Sequence, residues 1–110
     1  LILVVGIGVT HSPRDLLEVL LPAASTVIVT RSRHARATPP EELAARGQEL
    51  GRETVVTHSL VEALATALEA ASPEDLVLFT GSLFVVAEAR EAWAARQGLP
   101  PPPSDPPGVY

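Results

Sequence analysis

Cysteine, methionine and lysine are all absent from this chain, and aromatic residues make up only 4% of it. Without cysteine there are no disulfides, thiolate metal sites or thiol nucleophiles, a composition that suits a reducing compartment and gives cytoplasm as the expected location. With so few aromatics the core must be aliphatic, and 110 residues suffice for one such core. The longest apolar run, Leu1 to Val9, falls far short of the roughly 20 residues that cross a bilayer, and no basic stretch precedes it as in a signal peptide. A net charge of −5 argues against nucleic-acid and anionic-membrane partners, which require a basic surface. Leucine in first position, with no methionine anywhere, gives the expectation of a piece cut from a longer chain.

What is present follows a repeating order. Four short β-branched or leucine-rich runs, Ile2–Gly8, Thr26–Thr30, Thr54–Thr57 and Asp75–Thr80, alternate with amphipathic segments of helical period. Such alternation predicts βα units around a parallel sheet with helices on both faces, and near-continuous apolar runs suit strands covered twice. Ser12-Pro13 opens the first helix, which Pro22 is expected to stop. Thr38 to Glu41 has capping-box spacing for the second helix, whose inner face reads Leu43, Gly47 and Leu50, and Ser59 to Glu62 has it for the third. A fourth helix follows Gly81-Ser82 and is expected to bury Val86, Ala89 and Trp93. Residues 1–98 therefore read as one α/β domain, and 99–110, with six prolines in the last eleven residues, as an extended tail. Right-handed crossovers give the strand order 3-2-1-4, a Rossmann-like open sheet whose switch point lies between the first and fourth strands.

Ligands of an open parallel sheet bind outside the carboxyl ends of its strands. There the chain places Thr10, His11 and Ser12 after the first strand, Arg31, Arg33, His34 and Arg36 after the second, His58 after the third, and Thr80, Gly81 and Ser82 after the fourth. No acidic residue occurs between Glu18 and Glu41, while three of the eight arginines fall within Arg31 to Arg36. A local positive edge on an acidic protein attracts a phosphate, a carboxylate or an acidic partner surface. The Phe79-Thr80-Gly81-Ser82-Leu83-Phe84 segment adds backbone N–H groups, a hydroxyl and a helix start. Gly6-Ile7-Gly8 lacks the third glycine and the acidic strand end of a dinucleotide fingerprint, so a tight turn explains it better. The three histidines come from separate loops without short ligand spacing, which disfavours a metal, and Ser82 lacks the frame of a nucleophile elbow. No catalytic acid–base pair is evident.

Val4-Val5-Gly6 leading to a polar turn, Leu21-Pro22-Ala23-Ala24 before Val27-Ile28-Val29-Thr30, His34-Ala35-Arg36-Ala37 before Pro40-Glu41-Glu42-Leu43, and Leu76 to Phe84 with Glu88 and Arg90 occur in one consistent order. Over residues 2 to 95 this resembles the C-terminal domain of folylpolyglutamate synthase/dihydrofolate synthase, in the Mur ligase superfamily. The resemblance implies a domain that closes over an ATPase domain in an enzyme joining glutamate to a folate through an acyl phosphate. It implies ATP and Mg in the parent, bound mainly by the preceding N-terminal domain, with none expected in this domain alone and no catalytic or metal-binding residue in it. The family's Asp-x-Ala-His-Asn-Pro segment and the helix after it would precede Leu1, so one sheet face is expected to be incompletely covered. Where the family commonly carries Asp-Lys-Asp, this chain has Thr10, His11 and Ser12. The cleft residues expected at the carboxyl edge are Thr10, His11, Ser12, Arg31, Arg36, Thr80, Gly81 and Ser82, of which Arg36, Gly81 and Ser82 match the family. The alternative is a non-catalytic module of a degenerate family member that binds a small anion or self-associates through an exposed sheet face.

Overall fold

Strand pairing follows the predicted order: in the computed structural model, which describes residues 1–8 and 12–100, four parallel strands lie in the sequence β3-β2-β1-β4. They are β1 (Ile2–Val5), β2 (Thr26–Val29), β3 (Val55–Val56) and β4 (Val77–Thr80). Between them run α1 (Pro13–Leu20), α2 (Pro40–Glu49) and α3 (Leu60–Ala70), and α4 (Leu83–Arg96) closes the described fold. Val9, Thr10 and His11 lie outside the described residues, as does 101–110 of the predicted tail.

Side-chain alternation divides the aliphatic core between the two faces of the sheet. Leu3 and Val5 of β1 and Val27 and Val29 of β2 pack with Leu17, Leu21 and Leu43 under α1 and α2. Ile2, Val4 and Ile28 face the other way, against Ala63 and Ala67 of α3, with Val77 and Phe79 of β4 beside them. Small residues on α3 let the helix approach the sheet closely, so alanine does the packing that larger side chains do opposite. Leu78 stands opposite Leu3 in the register, on the α1/α2 side, yet remains 40% exposed, and Leu76 is 68% exposed. Among the described residues that side of β4 is therefore incompletely covered, as expected.

Several boundaries differ from the sequence expectations for identifiable reasons. β1 stops at Val5 rather than Gly8 because the next residues change partners: the Ile7 carbonyl accepts from the Thr38 N–H at 2.8 Å, and Gly8 bridges Ala37 antiparallel. β4 starts at Val77 because Asp75 belongs to a turn, its carboxylate accepting from the Ser72 N–H at 2.8 Å. That contact holds the Asp75 carboxyl below its ordinary range, with the Ser72 hydroxyl adding to it. Pro22 does not end the chain's helical path but sits inside a 3-10 turn, Leu21–Ala23. Arg52 donates to the Leu21 and Ala24 carbonyls at 2.6 and 2.8 Å, adding a second donor to Leu21, which already accepts from the Ala24 N–H at 3.1 Å, and tying the end of the turn to the segment after α2.

The capping-box expectation fails for α2 and holds in its hydroxyl half for α3, where the returning carboxylate bonds the residue before the cap. Pro39 is the N-cap of α2, without a side-chain cap bond, because Thr38 is buried and its backbone is committed to Ile7. Ser59 caps α3 through the Glu62 N–H at 3.1 Å, and Glu62 reaches back to the His58 N–H at 3.2 Å. The expected inner face of α4 also needs correction: Val86 and Trp93 are 39% and 46% exposed, whereas Val85, Ala89 and Ala92 are buried. Val85 sets this phase. It sits so close to Gly6 that a Cβ there would lie 2.7 Å from its Cγ2 atom.

Candidate functional site

Two connections build the carboxyl edge of the sheet near its switch point. The first is the two-residue turn Gly81-Ser82 between β4 and α4. Gly81 has φ +114°, and a Cβ there would collide with the backbone of Gly6, including its carbonyl oxygen. Only glycine meets both conditions without distortion. Ser82 then caps α4, its hydroxyl accepting from the Val85 N–H at 3.1 Å, and the Gly6 N–H donates to the Thr80 carbonyl at 3.2 Å. Thr80, Gly81 and Ser82 are thus brought against Gly6 at the end of β1, where a parallel sheet that reverses strand order opens a ligand crevice. The Ser82 hydroxyl is engaged in capping, so its first role is structural.

The second connection, residues 30–39 between β2 and α2, forms a strap across the same edge. At its start the Thr30 N–H donates to the Val5 carbonyl at 2.9 Å, and the Thr30 hydroxyl donates to the Ser59 carbonyl at 3.1 Å. At its end Ala37 and Thr38 meet Gly8 and Ile7 beyond β1. In between it reaches α4. Both carboxylate oxygens of Glu88 accept from the Arg33 N–H, at 3.1 and 3.0 Å, and the His34 ring stacks on Phe84 with centroids 4.2 Å apart. Buried Ser32 accepts from the His34 N–H at 3.2 Å, and His34 Nδ1 accepts from the Arg36 N–H at 3.1 Å. An accepting Nδ1 is unprotonated, which places the ring's proton on Nε2 in this arrangement.

The strap's arginines do not share one environment. Arg33 pairs with Glu91 at 2.9 Å and Glu88 at 3.6 Å, so its charge is balanced by α4. Arg31 donates to the Ser32 carbonyl at 3.5 Å, and the exposed Arg36 side chain makes no hydrogen bond or ion pair among the described residues. Of the positive edge read from sequence, Arg31 and Arg36 keep the charge that would meet an anion. His58 Nε2 contacts Glu41 Oε1 at 2.6 Å. Chiefly through this hydrogen bond, with smaller help from the Arg31 charge, the Glu41 carboxyl lies below its ordinary range.

Of the eight expected cleft residues, Thr80 ends β4, Gly81 and Ser82 form the turn after it, Arg31 and Arg36 lie on the strap, and Ser12 caps α1 through the Asp15 N–H at 3.4 Å. Thr10 and His11 lie outside the described residues. Among the described residues no group of His, Asp and Glu is placed to hold a metal ion. Sequence reasoning missed the work of Glu88 and Phe84. Their four-residue spacing on one flank of α4 signals a shared face, but nothing local says what that face meets. No helix of the described residues is long and apolar enough to cross a membrane.

Residues 1–83 match the family described as Mur ligase, glutamate ligase domain. A probable bifunctional folylpolyglutamate synthase/dihydropteroate synthase of Halobacterium salinarum is 39% identical over 89 residues, covering 68% of this chain and 11% of that protein. Its counterpart in Haloferax volcanii is 39% identical over 74 residues, covering 66% of this chain and 9% of that protein. The chain therefore spans about a tenth of the length of these relatives. Among solved structures, Mycobacterium tuberculosis folylpolyglutamate synthase, complexed with ADP and AMPPCP, matches with a TM-score of 0.68 and 25% identity over 92% of this chain and 24% of that one.

Proposed function

The chain belongs to the Mur ligase, glutamate ligase domain family, and from that membership we propose that it works as the C-terminal domain of an ATP-dependent folate–glutamate ligase of folylpolyglutamate synthase type. The observation that carries this reading is the convergence of a family match over residues 1–83 with the Gly6–Gly81 approach and the arginine strap at one sheet edge. In the reaction a folate carboxylate is activated as an acyl phosphate and attacked by the amino group of glutamate, releasing phosphate. Every species in that sequence is anionic. This domain contributes a wall of the cleft: Gly81 and Ser82 offer a close backbone approach, and Arg31 and Arg36 offer positive charge to glutamate or nucleotide. ATP and Mg are held mainly by an N-terminal domain of the same parent, which is also the domain's partner, and the enzyme is cytoplasmic. Residues 1–98 form the working domain and 99–110 a tail.

The test is ATP-dependent incorporation of labelled glutamate into tetrahydrofolate or dihydropteroate. The full-length ligase is expected to catalyse it and the 110-residue chain alone is not. Turnover by the isolated chain would contradict the assignment of the catalytic machinery to another domain. The uncovered Leu76 and Leu78 favour a second reading, a self-associating module. It requires the isolated chain to sediment as a dimer and a full-length protein without ligase activity.

A further inference from the structure

We infer that Glu88 is a positioning residue: by gripping the Arg33 backbone it sets the strap so that Arg31 and Arg36 meet an anionic substrate at the β1–β4 switch point. The inference rests on the ligase reading above. Glu88 is only 13% exposed, although it sits one residue after exposed Ala87 and two before exposed Arg90 on the same helix. Its two oxygens converge on one backbone N–H at 3.1 and 3.0 Å, while its distance to the Arg33 guanidinium is a looser 3.6 Å. A carboxylate kept only to neutralise Arg33 would be redundant, because Glu91 already reaches that guanidinium at 2.9 Å. What Glu88 fixes is the path of the main chain.

That path matters because the strap is long and carries like charges. Arg31, Arg33 and Arg36 repel one another, and an unpinned loop would move them apart into solvent. Glu91 cancels the middle charge and Glu88 holds the loop on α4, with His34 on Phe84 as a second contact. The flanking Arg31 and Arg36 stay positive on a loop whose ordering cost has been met before any ligand arrives. Glu88 thus touches no substrate and acts through the two arginines.

The test is steady-state kinetics of the full-length ligase with ATP and L-glutamate varied in turn, using Arg36→Ala, Glu88→Ala, Glu88→Gln, the Glu88→Ala/Arg36→Ala double variant and Glu91→Gln. Arg36→Ala is expected to raise KM for one of the two by about tenfold with kcat within about threefold, and Glu88→Ala to raise the same KM by about fivefold. The double variant is expected to lose less than the product of the two single losses, since part of the Glu88 effect runs through Arg36 and the rest through Arg31, which it keeps. Glu91→Gln should stay within about twofold, and Glu88→Gln, which keeps one accepting oxygen, should recover part of the loss. Amide hydrogen exchange at Arg33 should accelerate in Glu88→Ala while the core strands keep their protection. Unchanged KM in Glu88→Ala and Glu88→Gln, or losses that simply add in the double variant, would overturn the positioning role. Unchanged KM in Arg36→Ala would instead overturn the placement of the strap in the substrate cleft, a distinct failure.

Discussion

The two connections that meet at the switch point are held by opposite means. The Gly81-Ser82 turn is two residues long and fixed by backbone: a positive φ, a contact with Gly6 that excludes any side chain, and a local cap. The strap between β2 and α2 is fixed by side chains from elsewhere, Glu88 and Phe84 of α4, with the main chain of Ile7 and Gly8 at its end. A short turn between a strand and a helix has few conformations, so sterics suffice. A long connection has many, and order must come from partners distant in sequence.

Breaking the turn should therefore cost the whole fold, whereas breaking the strap should cost mainly its own order. Gly81→Ala combines an unfavourable φ with a collision against the Gly6 backbone. A destabilisation of about 3–5 kcal/mol in urea unfolding is expected, enough to leave little folded protein. Glu88→Ala removes a charge-assisted bond to a backbone amide and should cost about 1.5–3 kcal/mol, with exchange rising at Arg33 and His34 before it rises in β1. If Glu88→Ala instead lowered protection uniformly, the strap would be part of the cooperative core and the contrast would disappear.

Smaller changes sharpen the same contrast. Ser82→Ala removes a cap from α4 and should cost about 1 kcal/mol by thermal or urea unfolding, leaving strap exchange unchanged. At the far end of the edge, the Glu41 carboxyl is lowered chiefly by its hydrogen bond to His58. A lowered folded-state value means this contact contributes above the ordinary glutamate range and is lost as pH falls through the lowered value. His58→Ala should return the Glu41 titration, followed by carboxyl NMR, toward its ordinary range with little change in stability, since both side chains are mostly exposed.

The same division explains what could be read from the chain alone. Strand order, the Ser59 and Ser82 caps and the Gly81 turn depend on neighbours in sequence or on general rules of parallel sheets, and they were legible. Thr38 looked like a cap but serves as a buried pairing partner of Ile7, a contact 31 residues back that no local pattern announces. Trp93 looked like core because it is large and apolar, but Val85, locked against Gly6, turns α4 so that Trp93 faces outward. Arg31 and Arg36 were legible as charge; that Glu88 would pin the loop between them, across 55 residues of sequence, was not.

Hydrogen exchange in the full-length protein, with and without AMPPCP, folate and glutamate together, tests most directly whether turn and strap form one wall of a substrate cleft. Exchange in 31–38 and 81–85 is expected to slow by at least about tenfold on ligand addition, while β3 and α2 stay unchanged. Unaltered exchange in both segments, in a preparation that turns over when ATP replaces AMPPCP, would contradict the account.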